Sequence, residues 1–322
     1  MKAKITGTGS CVPPKIVTND DLSKMVDTND AWIRERTGIQ ERRVSDEGTA
    51  TTDLAVIAAE RALTAAGTSP EELDLILFCT CSPDMLFPSS GCILQSKLKA
   101  VNAACFDLSD ACAGFNYGLS VASGLVEAGR YKKVLLVGAD TLTKYLDWTD
   151  RGTCILFGDG AGAAVLTATE KEEGVLANLL RAEGHLGHHL TMPGGGSRDP
   201  EARNGRFIKM NGKEVFKFAV RALETSVRDI LKLSGKEVSD IDLLIPHQAN
   251  LRIIEHVSKK MGLSKEKVYV NLHKYGNTSA ASIPIALDEA RTEGRLKSGD
   301  LLVLSGFGAG LTYGANIIKW SI

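Results

Sequence analysis

One segment of the chain is written twice. Ala66-Gly67-Thr68-Ser69-Pro70-Glu71-Glu72-Leu73-Asp74-Leu75-Ile76 returns as Ser234-Gly235-Lys236-Glu237-Val238-Ser239-Asp240-Ile241-Asp242-Leu243-Leu244, an offset of about 168 between Asp74 and Asp242. A second pair, Glu127-Ala128-Gly129-Arg130 and Thr292-Glu293-Gly294-Arg295, is about 165 apart, and each precedes an apolar run, Val134–Gly138 and Leu301–Gly306. A period near half of 322 residues means a duplicated domain rather than a solenoid of short repeats. Whatever the first half builds, the second must build from the same order: helix, strand, long connection, strand–turn–helix, strand.

The patterns themselves are α/β. Apolar runs of strand length at Lys4–Gly7, Leu73–Cys79, Val134–Gly138, Gly162–Thr167, Ile241–Ile245 and Leu301–Ser305 alternate with helical periodicity at Leu54–Ala66, Tyr117–Ala128, Val215–Leu233 and Leu251–Met261. Near-continuous apolar strands are expected to be buried on both faces. The halves are read as 1–170 and 171–322, and the Gly/Pro-rich stretch Pro193–Pro200 as a loop near that boundary.

Composition excludes several classes. Lys+Arg number 38 and Asp+Glu 39, a net charge of −1, so no overall field points to nucleic acid. No apolar run approaches the ~20 residues of a membrane span, and Met1-Lys2-Ala3-Lys4-Ile5 lacks the apolar core of a signal peptide. The seven cysteines, an odd number scattered through apolar runs, read as reduced thiols of a cytoplasmic protein. Cys79-Thr80-Cys81 has no second Cys/His pair for zinc, and His185, His188 and His189 have no carboxylate or thiol beside them and read as a surface loop. No metal and no cofactor is expected. Gly158-Asp159-Gly160-Ala161-Gly162 lacks the Lys-Ser/Thr of a phosphate loop and reads as a turn into a buried strand.

The chemistry gathers at Phe106–Phe115. A strand pattern ends in Asp110-Ala111-Cys112-Ala113-Gly114, and Tyr117, Leu119, Val121, Ala122, Leu125 and Val126 follow at helical spacing. Cys112 thus stands at a helix start, where unpaired N–H groups and the dipole favour a thiolate nucleophile. A cysteine there packs equally well as a small hydrophobe. At the 165 offset Cys112 falls on Asn277, within Tyr275-Gly276-Asn277-Thr278-Ser279-Ala280-Ala281-Ser282 and ahead of the helical run Ile283–Ala290. At the 168 offset the strand ending at Cys79 matches the one leading into His247. Halves related by two-fold symmetry would bring Cys112, His247 and Asn277 to one cleft at the carboxyl ends of strands.

These segments carry a resemblance. Asp110–Phe115, His247-Gln248-Ala249-Asn250 and Gly276–Ser282 are similar to the β-ketoacyl-[acyl-carrier-protein] synthase III family. So are Gly7-Thr8-Gly9, Trp32 with Arg36-Thr37-Gly38-Ile39, Phe157–Ala163 and Gly306-Phe307-Gly308-Ala309-Gly310, all collinear along the chain. The resemblance implies a thiolase-like fold, two duplicated α/β halves in a five-layered αβαβα arrangement, acting as a homodimer. It implies an acyltransferase that loads a short acyl group, acetyl by preference, from acyl-CoA onto Cys112 and condenses it with malonyl-acyl carrier protein, initiating type II fatty-acid synthesis. His247 and Asn277 would be N–H donors to the decarboxylation enolate, and the backbone N–H groups of Cys112 and Ala309 a second oxyanion site; the family usually has glycine at position 309. The Cys/His/Asn set points to the branch primed by acyl-CoA, since elongating relatives use two histidines. Papain-type proteases share Cys/His/Asn but not the local signature or the duplication.

By the same resemblance Thr28, Trp32, Arg36 and Arg151 would hold CoA, with adenine between Trp32 and Arg151, and Gly212 and Asn250 would contact the pantetheine arm. Phe87, Leu142, Phe157 and Phe307 would line the acyl pocket, Phe87 reaching into the partner's pocket and shortening it. Gln248, Arg252, Lys217, Lys259 and Lys260 would form the rim for the acidic carrier protein, although a solvated charged face accounts for the lysines as well. Two other readings stay open: a related acyltransferase of secondary metabolism with a different acceptor, and a thiol hydrolase of acyl-CoA.

Overall fold

The repeated pattern builds two sheets of one design. The computed structural model describes residues 1–322. Counting the strands of the two main sheets and the helices of eight residues or more, the first half runs β1 (Lys2–Cys11), α1 (Asp30–Thr37), α2 (Thr51–Ala66), β2 (Leu75–Cys79), α3 (Ser90–Leu98), β3 (Ala104–Leu108), α4 (Gly114–Glu127), β4 (Lys133–Asp140) and β5 (Gly160–Thr169). The second runs β6 (Gly174–Ala182), α5 (Gly212–Leu233), β7 (Leu243–Pro246), α6 (Leu251–Met261), α7 (Ser282–Thr292), β8 (Leu301–Gly308) and β9 (Thr312–Lys319).

The first sheet has the order β1-β5-β4-β2-β3 and the second β6-β9-β8-β7. In each, the outer two pairings are antiparallel and the next is parallel. Where the first sheet adds β3, the second has only a parallel bridge from Leu244 to Val268. The chain crosses between sheets in the turn from Thr169 to Gly174, so Pro193–Pro200 is a loop inside the second half, not at the crossing.

Side-chain alternation along the strands makes three cores. Leu75 and Leu77 of β2 point inward with Leu136 and Leu166, against Leu119, Ala122 and Val126 of α4. From the other sheet Leu243, Ile245, Leu302 and Leu304 meet Ile283, Ala286, Leu287 and Ala290 of α7 in the same core. Ile76 and Phe78 point the other way, under α2 and α3, and Val303 and Phe307 pack under α5 and α6. Helix, sheet, helix pair, sheet, helix: the five layers follow from period-2 strands buried on both faces. Close approach is required at Gly118 of α4, where a Cβ would lie 2.4 Å from Cys79 Sγ and 2.7 Å from Leu136 Cδ1.

The two-fold relation corrects one sequence expectation. Helix α4 starts after a single 3-10 turn, Ala111–Ala113, and α7 after the turn Ser279–Ala281. The first residue of each turn is left-handed, Ala111 at φ 44° and Ser279 at φ 52°. Cys112 therefore corresponds to Ala280, at the 168 offset, and not to Asn277. The 165 offset arises further on, because α7 has 11 residues and α4 has 14, about one helical turn fewer. Gly129 and Gly294, both left-handed, cap helices of different length.

Candidate active site

Cys112 sits on the turn between β3 and α4, 6% exposed. The end of β8 presses on that turn: a Cβ on Gly308 would lie 2.7 Å from the Cys112 backbone nitrogen. His247 directly follows β7, its backbone N–H donating to Ser305 O at 2.8 Å. Asn277 is placed by a bridge to Phe157, donating from its N–H to Leu156 O (2.8 Å) and accepting at its own carbonyl from Gly158 N–H (3.0 Å). The three side chains line one cavity of about 610 Å³.

The hydrogen bonds orient both donors. His247 Nδ1 is 2.6 Å from Ser282 Oγ, and Ser282 Oγ also accepts from the Gln248 N–H at 3.4 Å. A Ser282 hydroxyl that donates to Nδ1 leaves the ring proton on Nε2. Phe307 stands edge-on to the imidazole, ring centroids 5.1 Å apart at 75°. Asn277 Oδ1 accepts from Ser279 N–H at 2.9 Å, so the amide turns its NH₂ toward the thiol.

Electrostatics run against the thiolate expected from the helix start. Burial pushes the Cys112 thiol up to about 12, with the Ser279 hydroxyl and Asn277 amide pulling down and the Asp140 and Asp110 carboxylates pushing up. Burial pushes His247 down to about 3. The resting pair is thus neutral thiol and neutral imidazole, unlike a Cys⁻/His⁺ ion pair. Burial also pushes Asp110 up to about 7, opposed by a hydrogen bond from Thr312. Alkylation of Cys112 by iodoacetamide is expected to rise close to tenfold per pH unit from pH 7.5 to 9. A plateau below pH 8, read by intact-mass kinetics, would mean a depressed thiol.

A second cavity, about 430 Å³, opens on the other side of Cys112 and is lined by Leu142, Phe157, Cys81, Leu190, Met192, Ile208 and Ala309 among others. Of the residues read as an acyl pocket, Leu142 and Phe157 line this cavity, whereas Phe307 lines the His247 side, its ring edge-on to the imidazole. Phe87 is 85% exposed and lines neither cavity of its own chain. Ala309 is not among the left-handed residues, so alanine keeps the backbone N–H there without strain. Cys81, Met192 and Ile208 were missed; nothing in their local sequence separates them from ordinary core.

On the larger cavity, Gly212 and Asn250 line the wall, and Asn250 caps α6 through Arg252 N–H (2.9 Å) while its amide donates to Arg36 O (3.0 Å). The mouth is a cleft of about 750 Å³ formed by Arg36, Gly212, Lys213, Phe216, Lys217 and Arg252. Lys213 joins this rim unforeseen. Arg36 and Arg151 both stack on the Trp32 indole, 5.3 and 5.2 Å from its centroid. An aromatic plane between Trp32 and Arg151 needs roughly 7–8 Å, two van der Waals contacts, so the expected sandwich is closed and Arg151, now bonded to Asp27 O at 3.0 Å, must swing out to admit one. Thr28 Oγ1, nearby in sequence, is buried without a partner.

The rim needs one correction. Gln248 is 1% exposed, its amide donating to Pro246 O (2.7 Å) and Tyr269 O (3.2 Å) and accepting from Asn271 N–H (3.0 Å), so it cannot touch a docking protein. Lys260 pairs with Glu224 (2.7 Å), and Lys259 faces a separate cleft beyond α6. His185, His188 and His189 lie in the turn Gly184–His189, which buries no residue.

Residues 106–184 match the family model 3-oxoacyl-[acyl-carrier-protein] synthase III, and residues 231–320 match its C-terminal model. The β-ketoacyl-[acyl-carrier-protein] synthase III of Caldanaerobacter subterraneus subsp. tengcongensis is 53% identical, over 100% of this chain and 98% of its own. This chain belongs to the β-ketoacyl-[acyl-carrier-protein] synthase III family. Among solved structures, the 3-oxoacyl-[acyl-carrier-protein] synthase III of Aquifex aeolicus superposes with a TM-score of 0.94 at 47% identity, covering 99% of this chain and 100% of that one. The priming β-ketosynthase of the R1128 polyketide pathway reaches 0.93 at 35% identity, over 99% and 96%. The fold is thus the thiolase-like fold of an acyltransferase family, and no helix is long and apolar enough to cross a membrane.

Proposed function

We propose that this protein condenses acetyl-CoA with malonyl-acyl carrier protein. Cys112 Sγ attacks the thioester carbon, the thiol proton passes to the departing CoA sulfur, and an acetyl-cysteine remains. Malonyl-carrier protein then enters the same tunnel. Loss of CO₂ leaves an enolate on the thioester oxygen, held by His247 Nε2–H and Asn277 Nδ2–H. Its carbon attacks the acetyl carbonyl, whose oxyanion meets the N–H groups of Cys112 and Ala309, and Cys112 leaves as β-ketoacyl-carrier protein forms. The observation that carries this reading is the position of one thiol between two cavities, with two neutral N–H donors on the larger side. A neutral histidine suits a donor, and its low affinity for protons argues against a general base.

The tunnel mouth suits a phosphopantetheine substrate. Arg36, Lys213, Lys217 and Arg252 offer cations at the rim, and Gly212 and Asn250 flank the arm. Thr28, Trp32 and Arg151 take the CoA nucleotide after Arg151 moves. Lys259 and Lys260 lie further along α6 and would extend the docking face for an acidic carrier protein. The division at 170/171, with the thiol in one half and both donors in the other, follows the crossing between sheets.

The protein acts as a homodimer in this reading. β3 is an edge strand, and Phe106 on it, with Met85, Leu86 and Phe87 on the adjacent loop, is exposed. Isologous pairing of two β3 edges would continue the sheet and cover these side chains, placing Phe87 against the partner's acyl cavity. Phe87→Ala is then expected to raise kcat/KM for hexanoyl-CoA relative to acetyl-CoA by about tenfold or more, since each buried CH₂ is worth about 0.8 kcal/mol. An unchanged chain-length profile would remove Phe87 from the pocket. A cytoplasmic location accords with seven free cysteines.

Labelled acetyl-CoA followed by malonyl-carrier protein tests the reading. Label on Cys112 that moves into a ketoacyl product supports it. Label lost to water favours a hydrolase, and acylation without use of malonyl-carrier protein favours a different acceptor. The higher identity to fatty-acid synthase III relatives than to the polyketide priming enzyme favours the first.

A further inference from the structure

His247 and Asn277 come from separate segments, yet the enolate needs both N–H groups at one oxygen. One helix touches both segments. Ser282, the first residue of α7, holds His247 Nδ1 at 2.6 Å. Two turns on, Glu289 of the same helix accepts from Asn271 Nδ2 (2.8 Å) and from the Tyr275 hydroxyl, with Tyr269 OH at 3.4 Å. Tyr275 leads through Gly276, left-handed at φ 65°, straight into Asn277. From the other side Gln248, next to His247, ties Pro246 O and Tyr269 O to Asn271 N–H. Glu289 makes no ion pair; its carboxylate is occupied by side-chain amide and hydroxyl donors. Burial and that carboxylate push the Tyr275 hydroxyl up, so it stays a donor.

We infer that Gln248, Asn271 and Glu289 are positioning residues, a hydrogen-bonded brace, buried at Gln248 and Asn271, that sets the distance between the His247 and Asn277 donors and serves the decarboxylation step above all. This rests on the synthase reading above. The thiol turn itself is held from another side, by the end of β8 at Gly308, where a Cβ would lie 2.7 Å from the Cys112 nitrogen, so the brace bears on the thiol only through the Asn277 amide. A displacement near 1 Å of a catalytic group can cost about a hundredfold.

The test separates the two half-reactions in the full-length protein: Cys112 acetylation by acetyl-CoA, read by intact mass, and CO₂ release from malonyl-carrier protein. Glu289→Leu is expected to slow CO₂ release by about 10–100-fold and acetylation by less than about threefold. Glu289→Gln should recover most of the loss, because the tyrosine hydroxyls can reverse their hydrogen bonds. Gln248→Glu turns a carboxylate oxygen toward the Pro246 and Tyr269 carbonyls, so its CO₂ release should improve as pH falls and the new carboxyl protonates. This variant carries the test if Glu289→Leu does not fold. Equal loss of both steps, or unaltered CO₂ release, overturns the brace. Wild-type protein that neither acetylates nor decarboxylates overturns instead the reading beneath it.

Discussion

Cys112→Ser is expected to lower acyl transfer from acetyl-CoA by about a thousandfold or more while leaving Tm within about 2 °C. The serine fills almost the same volume against Ser279 and Asn277, so packing is nearly conserved. The chemistry is not: a serine hydroxyl is far less acidic than a thiol, and no base stands by to take its proton. His247 holds a proton only near pH 3 and below, and Asp110 and Asp140 add negative potential rather than acceptors at the sulfur. Mass spectrometry after incubation with acetyl-CoA should show the wild-type adduct and none on the variant. An adduct of equal yield would place the acyl group on another residue.

His247→Ala should divide the reaction. Removing one preorganised donor to an oxyanion costs about 10²–10³ in rate, near 3 kcal/mol, so CO₂ release should fall by that factor. Acetylation of Cys112 should stay within tenfold if, as proposed above, the acylation oxyanion meets the backbone N–H groups of Cys112 and Ala309 instead. The wild-type decarboxylation rate should show no inflection from His247 between pH 5 and 9, since the imidazole is neutral throughout. A histidine inflection near pH 6.5, or loss of acetylation equal to loss of decarboxylation, would make His247 a base toward the thiol.

The duplication was legible because it lies in turn and helix-end signals, such as Pro70-Glu71-Glu72 against Val238-Ser239-Asp240, that both halves need. Its register at the site was not. A helix one turn shorter moves every offset by about three residues, and a sequence does not say where the turn is lost. β6 and β9 escaped notice for another reason. Asn178, Gly314 and Asn316 interrupt their apolar pattern, yet Asn316 is buried, donating to Asn178 Oδ1 and accepting from Asn116 Nδ2 at 2.8 Å each. A polar residue satisfied by a distant polar partner reads as loop. Gln248 was misplaced similarly: its neighbour His247 marks the site, but only the carbonyls of Pro246 and Tyr269 show that it faces inward. The helix start at Cys112 was legible; the burial that dominates the thiol's shift, and the Asp140 carboxylate that folding brings beside it, were not.

The two 3-10 turns, Ala111–Ala113 and Ser279–Ala281, touch one another, and a Cβ on Gly114 would be 3.4 Å from Ala280 Cβ. A molecule built from two like halves could in principle work as two enzymes. The second turn offers no such seat: Ala280, at the place matching Cys112, packs in the shared core and lines neither cavity. Two halves share a single seat, and the turn without the thiol is left free to become its support: Ser279 offers its hydroxyl to the sulfur it cannot replace.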